Sequence, residues 1–345
     1  MPAGVPTSGR APSMADVAQV AGVSHQTVSR VLNDHPNVRP QTRAAVLSAI
    51  EQLGYRRNSA ARALVTRRSG VLGVVTTGSA LFGPSSTLLG IELAAREHGY
   101  VVTVATVTSF EPATMAATVE QFLEQRVEGI IVVAPQVDAT RAILELGAPV
   151  PIVMVSSSHV DARGAEASPV RSVGVDQVAG GRFATEHLLA LGHRDVLHVA
   201  GPQDWFDARA RLVGWRAALD ASPGSSGELV QGDWTADVGY ELGLRLAREG
   251  LPSAVFAAND QIALGMLRAF WERGVVVPRD VSIVGFDDVA GADHFIPPLT
   301  TVRQDFQALG RRALAVTDRM VEGEEPDTSA LVPELVVRAS TAPRA

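Results

Sequence analysis

The sequence predicts a small all-helical N-terminal head and a larger α/β body built on parallel sheets, and three observations support this division. The first 69 residues carry nine arginines against three acidic residues, a net charge of +6, whereas the remaining chain holds 21 arginines against 34 acidic residues, a net charge of −13. Short helical patterns that end in glycine fill the head, and strand-like apolar runs alternate with amphipathic stretches in the body. A basic head on an acidic body indicates that the head meets a polyanion.

The composition excludes several chemistries. All 30 basic residues are arginine, and the chain has no cysteine. A Schiff-base lysine, a P-loop lysine, a cysteine nucleophile, a disulfide and a thiolate metal site are therefore impossible. No apolar run approaches the ~20 residues of a membrane span, and residues 1–12 lack the apolar region of a signal peptide. We therefore expect a disordered N-terminal tail and a soluble intracellular protein of two or three domains.

Two short helices open the head. Apolar side chains recur at i, i+3, i+4 and i+7 from Met14, and Gly22 ends this first helix. Ser24 is a good N-cap for a second helix that runs to about Leu32. The inward face of the second helix consists of Val28, Val31 and Leu32. Two helices joined by a Gly-Val turn have the layout of a helix-turn-helix motif.

A third helix completes the head. Pro40 suits the first position of a helix that runs to about Leu53, and Gly54 closes it. The predicted inward face of this helix, at three-residue spacing, consists of Ala44, Leu47, Ile50 and Leu53. We therefore expect a three-helix domain.

Nine polar side chains of the head are candidates for DNA contact. Four of them, on the outward face of the second helix, can exchange hydrogen bonds with base edges in a major groove: His25, Gln26, Ser29 and Arg30. Five short polar groups near helix ends suit phosphate oxygens: Ser24, Thr27, Asn33, Asn37 and Thr42. On these residues alone, a solvated three-helix domain with ordinary helix caps is the alternative.

Residues 13–68 resemble the DNA-binding headpiece of the lactose-repressor (LacI/GalR) family. The resemblance rests on the stretches DVAQVAGVSHQTVSRVLN and LGYRRNSAARAL and on the TR pair between them. It implies that the protein binds double-stranded operator DNA and that His25, Gln26 and Arg30 read the bases directly.

The same resemblance implies a hinge helix from Asn58 to Leu64. Leu64 would wedge between base steps in the minor groove, and Ala61 would lie on the face that meets the groove and its dyad mate. Isolated helices shorter than ~12 residues are marginal. We therefore expect this segment to be disordered off DNA and to fold on the operator.

From Val71 onward, apolar runs alternate with amphipathic stretches. The predicted strands are Val71–Val75, Val101–Thr106, Gly129–Val133, Ile152–Val155, Val173–Val175, Val196–Ala200, Ala254–Ala257, Val281–Gly285 and a final strand near Leu331–Val337. Buried β-branched runs with helices between them are typical of parallel sheets in βαβ units. The strands are too many for one small domain, so we expect two sheets, with ligand-binding loops at the strand ends.

The body shows no catalytic set. Asp287 and Asp288 follow a strand, but adjacent residues point in different directions, so at most one should enter a cleft. The eight histidines include no His-x-x-x-His pair for zinc. We expect His187, His193 and His198 on helix surfaces or in loops rather than as ligands. The stretch VGVDQVAGG lacks the spacing of a dinucleotide fingerprint, so we expect no enzyme activity, no cofactor and no metal site.

Residues 71–338 resemble the effector core of the same family, in stretches such as GVDQVAGGRFATEHLLALGHRDVLHVAGP and IPPLTTVRQDFQALGRRA. That fold is similar to periplasmic sugar-binding proteins, with two α/β subdomains joined by three crossovers and the ligand in the cleft between them. Several stretches are close to the member that gives the family its name, so a sugar or glycoside is the expected effector. The implied domains are a tail at 1–12, a headpiece at 13–57, a hinge and linker at 58–69, a core at 70–338 and a tail at 339–345.

Four residues implied by the resemblance would form the polar part of an effector site. Arg211 would clamp sugar hydroxyls, and Asn259 and Asp287 would hold adjacent ones. Trp234 would stack on the apolar face of the sugar. Planar bidentate groups with an aromatic platform suit neutral polyols. On the residues alone, the alternatives are a core anchor for Trp234, a surface ion pair for Arg211 and a helix N-cap for Asn259.

Other implied residues would shape the site. Gln304 and Phe306 would close its far side. The apolar wall beside an aglycone would consist of Leu81, Gly83 and Pro84.

One departure from the family pattern concerns the acidic group of the site. Ser156 stands where the pattern has an aspartate, and a hydroxyl makes fewer and weaker hydrogen bonds than a carboxylate. Asp207 lies at a cleft edge where the pattern has a small polar residue, with the bulky Trp205 and Phe206 beside it. Either the acid has moved to Asp207 or the effector differs from a simple galactoside.

No leucine heptad follows the final predicted strand, so we expect a homodimer with two headpieces on a pseudo-palindromic operator. The sequence as a whole predicts a cytoplasmic, nucleoid-associated transcriptional repressor whose operator affinity falls when the effector binds. The alternatives are a corepressor-dependent regulator of the same fold, a sugar-binding protein of transport type and an enzyme with an appended DNA-binding module.

Overall fold

The computed structural model describes residues 12–32, 35–55, 68–78, 81–157 and 170–344. The chain divides into two compact units, residues 1–69 and residues 70–345. The predictions for most of the N-terminal tail and for the hinge helix lie outside the described residues. So do four of the predicted DNA-contact residues: Asn33, Asn58, Ala61 and Leu64.

The described part of the head unit forms three helices: α1 (Met14–Ala21), α2 (His25–Leu32) and α3 (Pro40–Leu53). Gly22 and Gly54 end α1 and α3 with φ of 65° and 62°, in the left-handed region that favours glycine. The Ser24 hydroxyl accepts a hydrogen bond from the Thr27 amide at 3.2 Å, so Ser24 caps α2 as predicted.

The head buries one apolar core, formed by Val17, Ala18, Val28, Val31, Val46, Ala49 and Tyr55. The predicted inward face of α3 is wrong in part, because Ala44 and Leu47 are exposed. Val46 and Ala49 are buried in their place. Each three-residue step turns about 300° on an α-helix, so a face chosen at that spacing drifts by about 60° per step.

The body unit has two lobes, each built on one sheet. Among the described residues, the first lobe holds β1 (Val71–Thr77), β2 (Val101–Val107), β3 (Gly129–Val133), β4 (Ile152–Val155) and β5 (Val170–Val173), all parallel, in the order β2-β1-β3-β4-β5. Its helices are α4 (Phe82–Glu97), α5 (Pro112–Glu124), α6 (Val137–Leu146) and α11 (Phe306–Val321). The helices α4 and α11 cover one face, and α5 and α6 cover the other.

The second lobe, as far as the structure describes it, holds β6 (Val196–Ala200), β7 (Leu229–Gln231), β8 (Ala254–Ala257), β9 (Ser282–Asp287), β10 (Thr300–Arg303) and β11 (Glu334–Val336), in the order β11-β10-β9-β8-β6-β7 with only β11 antiparallel. One face carries α7 (Gln177–Ala190) and α8 (Phe206–Asp220), and the other carries α9 (Ala236–Glu249) and α10 (Asp260–Glu272). This two-sheet architecture confirms the predicted fold class. No helix in the described ranges has the length and apolar character needed to cross a membrane.

The predicted strands need three corrections. β5 covers Val170–Val173 instead of Val173–Val175. β7 and β10 are absent from the prediction, because β7 is three residues long and largely exposed, while β10 begins with two threonines shortly after a proline pair. Pairing with neighbouring strands, and not local apolar content, makes these two segments strands.

In the described part of the body the chain passes between the lobes three times, as the resemblance implies. The first crossover is residues 174–176, the second is residues 304–305 and the third is residues 322–333. The Leu331 amide donates to the Gly174 carbonyl at 2.9 Å, and the Asp176 amide donates to the Leu331 carbonyl at 2.8 Å. Main-chain hydrogen bonds therefore join the first crossover to the third.

The position of His198 contradicts its prediction as a helix-surface or loop residue. His198 lies in β6 and is completely buried, because helices cover both faces of this strand. Its Nδ1 lies 2.9 Å from the Phe256 carbonyl oxygen, and the two rings stack with centroids 4.5 Å apart. Burial lowers the pKa of His198 to about 4. His187 on α7 and His193 in the following loop are placed as predicted.

Replacing His198 by Phe should reduce the loss of stability on acidification. His198 stays neutral in the folded state down to about pH 4 but protonates near pH 6.5 when unfolded, so the folded state is destabilised as the pH falls through this window. At pH 5 the preferential protonation of His198 in the unfolded state lowers the free energy of unfolding by about 2 kcal/mol. Urea unfolding measures the free energy of unfolding of the variant and of the wild type at pH 7 and at pH 5. Between the two pH values, the difference in this free energy between variant and wild type should shift by that amount in favour of the variant. A difference that stays constant with pH would contradict a buried neutral histidine.

Candidate functional site

The predicted base-reading side chains lie together on α2. His25, Gln26 and Arg30 are exposed, and Ser29 is half-buried. The predicted phosphate-contact groups that the structure describes lie in or near α2 and α3: Ser24, Thr27, Asn37 and Thr42. The structure thus groups these residues on the head, and their contacts with DNA stay a prediction.

A cavity of about 340 Å³ lies between the two lobes of the body, at the carboxyl ends of β3, β4 and β9. Open α/β sheets bind ligands at this edge. All eleven predicted effector residues line the cavity: Leu81, Gly83, Pro84, Ser156, Asp207, Arg211, Trp234, Asn259, Asp287, Gln304 and Phe306. The structure brings them into one site, and their role in binding an effector stays a prediction.

The two walls of the cavity differ in chemistry. The first-lobe wall has no charged side chain among the described residues, and it includes Phe82, which lies edge-to-face against Phe306 with ring centroids 5.6 Å apart. The second-lobe wall carries the charged side chains, Asp207, Arg211 and Asp287. A ligand therefore meets mainly apolar surface on one side and strong hydrogen-bonding groups on the other.

Arg211 is the buried cation of the cavity, with 4 % of its surface exposed. Its Nε donates to Gln177 Oε1 at 2.9 Å, and its Nη1 donates to the Ala258 carbonyl. Its Nη2 lies 3.4 Å from Asp287 Oδ1. The guanidinium also lies over the Phe286 ring, 3.8 Å from the centroid, in a cation–π contact. Arg211 thus forms a buried ion pair and not the surface pair considered as an alternative.

Asp287 ends β9 and is the buried carboxylate that faces Arg211. It accepts a hydrogen bond from Gln304 Nε2 at 2.7 Å. Burial raises the pKa of Asp287 to about 6, although Arg211 and the hydrogen bond from Gln304 favour the ionised form. Asp288 instead pairs with Arg338 at 2.7 Å, so only one of the two aspartates lines the cavity, as predicted.

Asn259 and Trp234 belong to the scaffold as well as to the cavity wall. Asn259 caps α10, because its Oδ1 accepts from the Ile262 amide at 2.9 Å. Its Nδ2 donates to the Trp234 carbonyl at 3.0 Å. Trp234 packs in the second-lobe core, edge-on to Trp205 with ring centroids 5.6 Å apart. The alternatives of a helix cap and a core anchor are therefore correct, and both residues still line the cavity.

Ser156 and Asp207 lie close together across the cleft. Ser156 is buried directly after β4, and Asp207 lies in the first turn of α8. The Ser157 amide lies 3.4 Å from Asp207 Oδ1, so the carboxylate approaches the segment that carries Ser156. This geometry favours the interpretation that the acidic group of the site has moved to Asp207.

Five large lining residues are absent from the predicted site: Phe82, Gln177, Trp205, Gln261 and Leu309. Gln177 is buried and follows the first crossover directly. The rule that ligand residues follow strand ends could have found it, because Gln177 lies two residues after the predicted strand Val173–Val175. Within the described residues, no group of three or more His, Cys, Asp or Glu side chains could hold a metal ion.

A helix-turn-helix unit and a two-lobed unit with a polar, partly aromatic cavity define a ligand-responsive DNA-binding regulator. Family models agree with this class. Residues 13–58 match the model described as bacterial regulatory proteins, lacI family, and residues 185–341 match that of a periplasmic binding protein-like domain.

Full-length relatives extend the match to almost the whole chain. The chain is 35 % identical to the lactose operon repressor of Escherichia coli strain K12, over 94 % of this chain and 89 % of that protein. It is 36 % identical to the HTH-type transcriptional regulator CelR of Thermobifida fusca, over 96 % of this chain and 98 % of that protein.

Solved structures give the same result. The Lac repressor dimer bound to operator and the anti-inducer ONPF superposes with a TM-score of 0.81 and 34 % identity, over 96 % of this chain and 100 % of that chain. A CelR–cellobiose complex gives a TM-score of 0.67 and 33 % identity, over 95 % of this chain and 99 % of that chain. The chain belongs to the lacI family of bacterial regulatory proteins and is a DNA-binding transcriptional regulator.

Replacing Arg211 by Met should destabilise the body, because it leaves Asp287 buried without its cation. Removing one partner of a buried ion pair costs about 3–5 kcal/mol. The loss should be smaller at pH 5 than at pH 8, because Asp287, with a pKa already raised to about 6, is then protonated. Urea unfolding at both pH values measures this loss of stability.

Arg245→Met, at an exposed arginine of α9, is the matched control and should change stability by less than about 0.5 kcal/mol. Equal losses at the two pH values would argue against a buried ionised Asp287.

Proposed function

We propose that the protein is a homodimeric transcriptional repressor that binds a pseudo-palindromic operator and releases it when a neutral sugar or glycoside occupies the cavity between the lobes. The observation that carries this proposal is the convergence on one cavity of eleven residues that the family resemblance implies at positions along the whole body. An exposed helix-turn-helix surface on the same chain supplies the DNA-binding part.

The exposed face of α2 supports base recognition. His25, Gln26 and Arg30 offer donors and acceptors on a helix of the kind that enters a major groove. The net charge of +6 on the first 69 residues attracts phosphates, whereas the net charge of −13 on the rest repels them. The Lac repressor is known as a dimer bound to operator, and the same assembly here would place two α2 helices on two half-sites. Minor-groove contacts would come from the hinge residues Asn58, Ala61 and Leu64.

The chemistry of the cavity supports a neutral polyol as effector. Arg211, Asn259 and Asp287 offer hydrogen bonds from the second-lobe wall, beside the aromatic ring of Trp234. Asp287 balances the charge of Arg211, and Asp207 adds a second carboxylate, so no net positive charge remains to attract an anion. CelR is known in complex with cellobiose, and the Lac repressor is known bound to ONPG.

Effector binding would act through the relative position of the lobes. Because groups from both lobes line the cavity, a bound sugar stabilises one arrangement of the lobes over others. In the dimer this arrangement would move the first lobes apart, so that the hinge helices no longer meet in the minor groove. By linkage, operator binding must weaken effector binding by the same factor, typically about 5–150-fold.

We further propose that the protein catalyses no reaction on its ligand, in keeping with relatives that are transcriptional regulators. Because its target is DNA, it acts in the cytoplasm at the nucleoid. The domain assignment that goes with this function is a headpiece at 13–57, a hinge and linker at 58–69 and an effector core at 70–338.

Replacing Gln26 by Ala should weaken specific operator binding by about 5–150-fold, because it removes a contact to a base edge worth about 1–3 kcal/mol. Binding to random DNA should stay the same. Fluorescence anisotropy at fixed salt, on a site selected from random DNA by the wild-type protein, measures both affinities. Gln52→Ala, at an exposed glutamine of α3, is the matched control. Equal losses on both DNAs would show that Gln26 does not read bases.

A thermal-shift screen of neutral sugars and glycosides, including cellobiose and ONPG, should raise the Tm of the wild-type protein with at least one of them. Arg211→Met should respond to none, because it loses the main donor of the cavity. Operator binding by this variant should persist, which shows that the dimer is folded. A screen in which only anionic ligands raise the wild-type Tm would refute the neutral-sugar proposal.

A further inference from the structure

Four buried side chains form a closed ring of hydrogen bonds in the cavity wall: Arg211, Gln177, Gln304 and Asp287. Gln177 Oε1 accepts from Arg211 Nε at 2.9 Å, and Gln177 Nε2 donates to Gln304 Oε1 at 2.6 Å. Gln304 Nε2 donates to Asp287 Oδ1 at 2.7 Å. Arg211 Nη2 closes the ring on the same oxygen at 3.4 Å.

The two charged residues determine the direction of every hydrogen bond in this ring. Arg211 can only donate, so Gln177 must turn its oxygen toward the guanidinium. Ionised Asp287 can only accept, so Gln304 must turn its NH₂ group toward the carboxylate. The two remaining groups, the NH₂ of Gln177 and the oxygen of Gln304, are then complementary. A change at either charged residue therefore affects both amides.

The ring lies at the crossovers between the two lobes of the body. Gln177 is the first residue of α7, directly after the first crossover, and Gln304 belongs to the second crossover. The main chain of Leu331 already joins the first crossover to the third. The Gln177–Gln304 amide pair therefore joins the first crossover to the second.

We propose that Gln177 is a positioning residue that orients Arg211 for the effector. Through Gln304 it also couples occupation of the cavity to the crossovers between the two lobes. An effector hydroxyl that hydrogen-bonds Arg211 or Asp287 competes with the bonds of the ring, so its binding changes the connection between the two crossovers. The part that concerns the effector rests on the proposed function, whereas the connection between the crossovers does not.

Hydrogen exchange of the ligand-free, full-length protein tests this connection directly. Gln177→Leu removes both hydrogen bonds of Gln177 and should speed amide exchange at least about threefold in residues 174–180 and also in residues 303–309. Gln177→Glu keeps an acceptor for Arg211 but has no NH₂ group for Gln304, and it should have the same effect on residues 303–309.

The control for this experiment is Gln125→Leu, at an exposed glutamine after α5, which should change exchange in neither segment. Faster exchange confined to residues 174–180 would overturn the proposal, because Gln177 would then support only its own helix.

Cellobiose binding to the full-length protein separates positioning from coupling. By calorimetry, Gln177→Leu should bind cellobiose at least about tenfold more weakly, because the Nε of Arg211 loses its acceptor. Gln177→Glu should stay within about threefold of wild type, because its carboxylate still orients Arg211. In both variants the ratio of operator Kd values with and without saturating cellobiose should fall at least about fivefold.

Two results of the binding experiment would overturn the proposal. Unchanged cellobiose affinity in Gln177→Leu would refute the positioning role, and an unchanged ratio in Gln177→Glu would refute the coupling. ONPG replaces cellobiose if the wild-type protein does not bind the disaccharide. If it binds neither, the neutral sugar or glycoside that raises the wild-type Tm most in the thermal-shift screen replaces them. If none raises it, the failure lies with the proposed function, and hydrogen exchange alone decides whether the amide pair connects the crossovers.

Discussion

The buried guanidinium of Arg211 is the constraint on which the rest of the cavity depends. Moving a cation out of water costs several kcal/mol, so the folded protein must supply a counter-charge and acceptors for the N–H groups. Asp287, Gln177 and the Ala258 carbonyl supply them, and these groups come from the end of β9, the start of α7 and the end of β8. They can converge only when the strands of the second lobe have their observed order, so the site and the lobe stabilise each other.

The division into lobes explains why a small ligand could control the whole body unit. Each lobe buries apolar clusters on both faces of its own sheet. Leu81 and Phe82 of the first lobe pack against a second-lobe cluster, and three crossovers connect the lobes in the described part of the chain. The relative position of two such lobes responds to energies of the size that a few hydrogen bonds provide. The ring that contains Gln177 lies where this response would begin.

Because all basic residues of the chain are arginine, the side-chain cations of both predicted binding surfaces, the exposed face of α2 and the cavity, are guanidinium groups. A guanidinium remains charged at every physiological pH and presents its donors in one plane. On α2 this suits Arg30 to bidentate contact with a base edge. In the cavity it means that Arg211 stays charged, so the pH response of the ring depends on Asp287, which burial brings to a pKa of about 6. The Asp207 carboxylate nearby keeps the site unattractive to anions.

The sequence by itself determined what depends on neighbours along the chain. The caps at Ser24 and Gly54 need only local backbone geometry, and β-branched runs identify buried parallel strands whatever their partners. Family resemblance then selected eleven residues that line one cavity. Only the tertiary structure decided where β5, β7 and β10 lie and that His198 is buried. Each of these depends on packing against segments distant in the sequence. The hydrogen bond between Gln177 and Gln304 depends on tertiary structure in the same way, because the two residues are 127 positions apart and only the meeting of two crossovers brings their amides together.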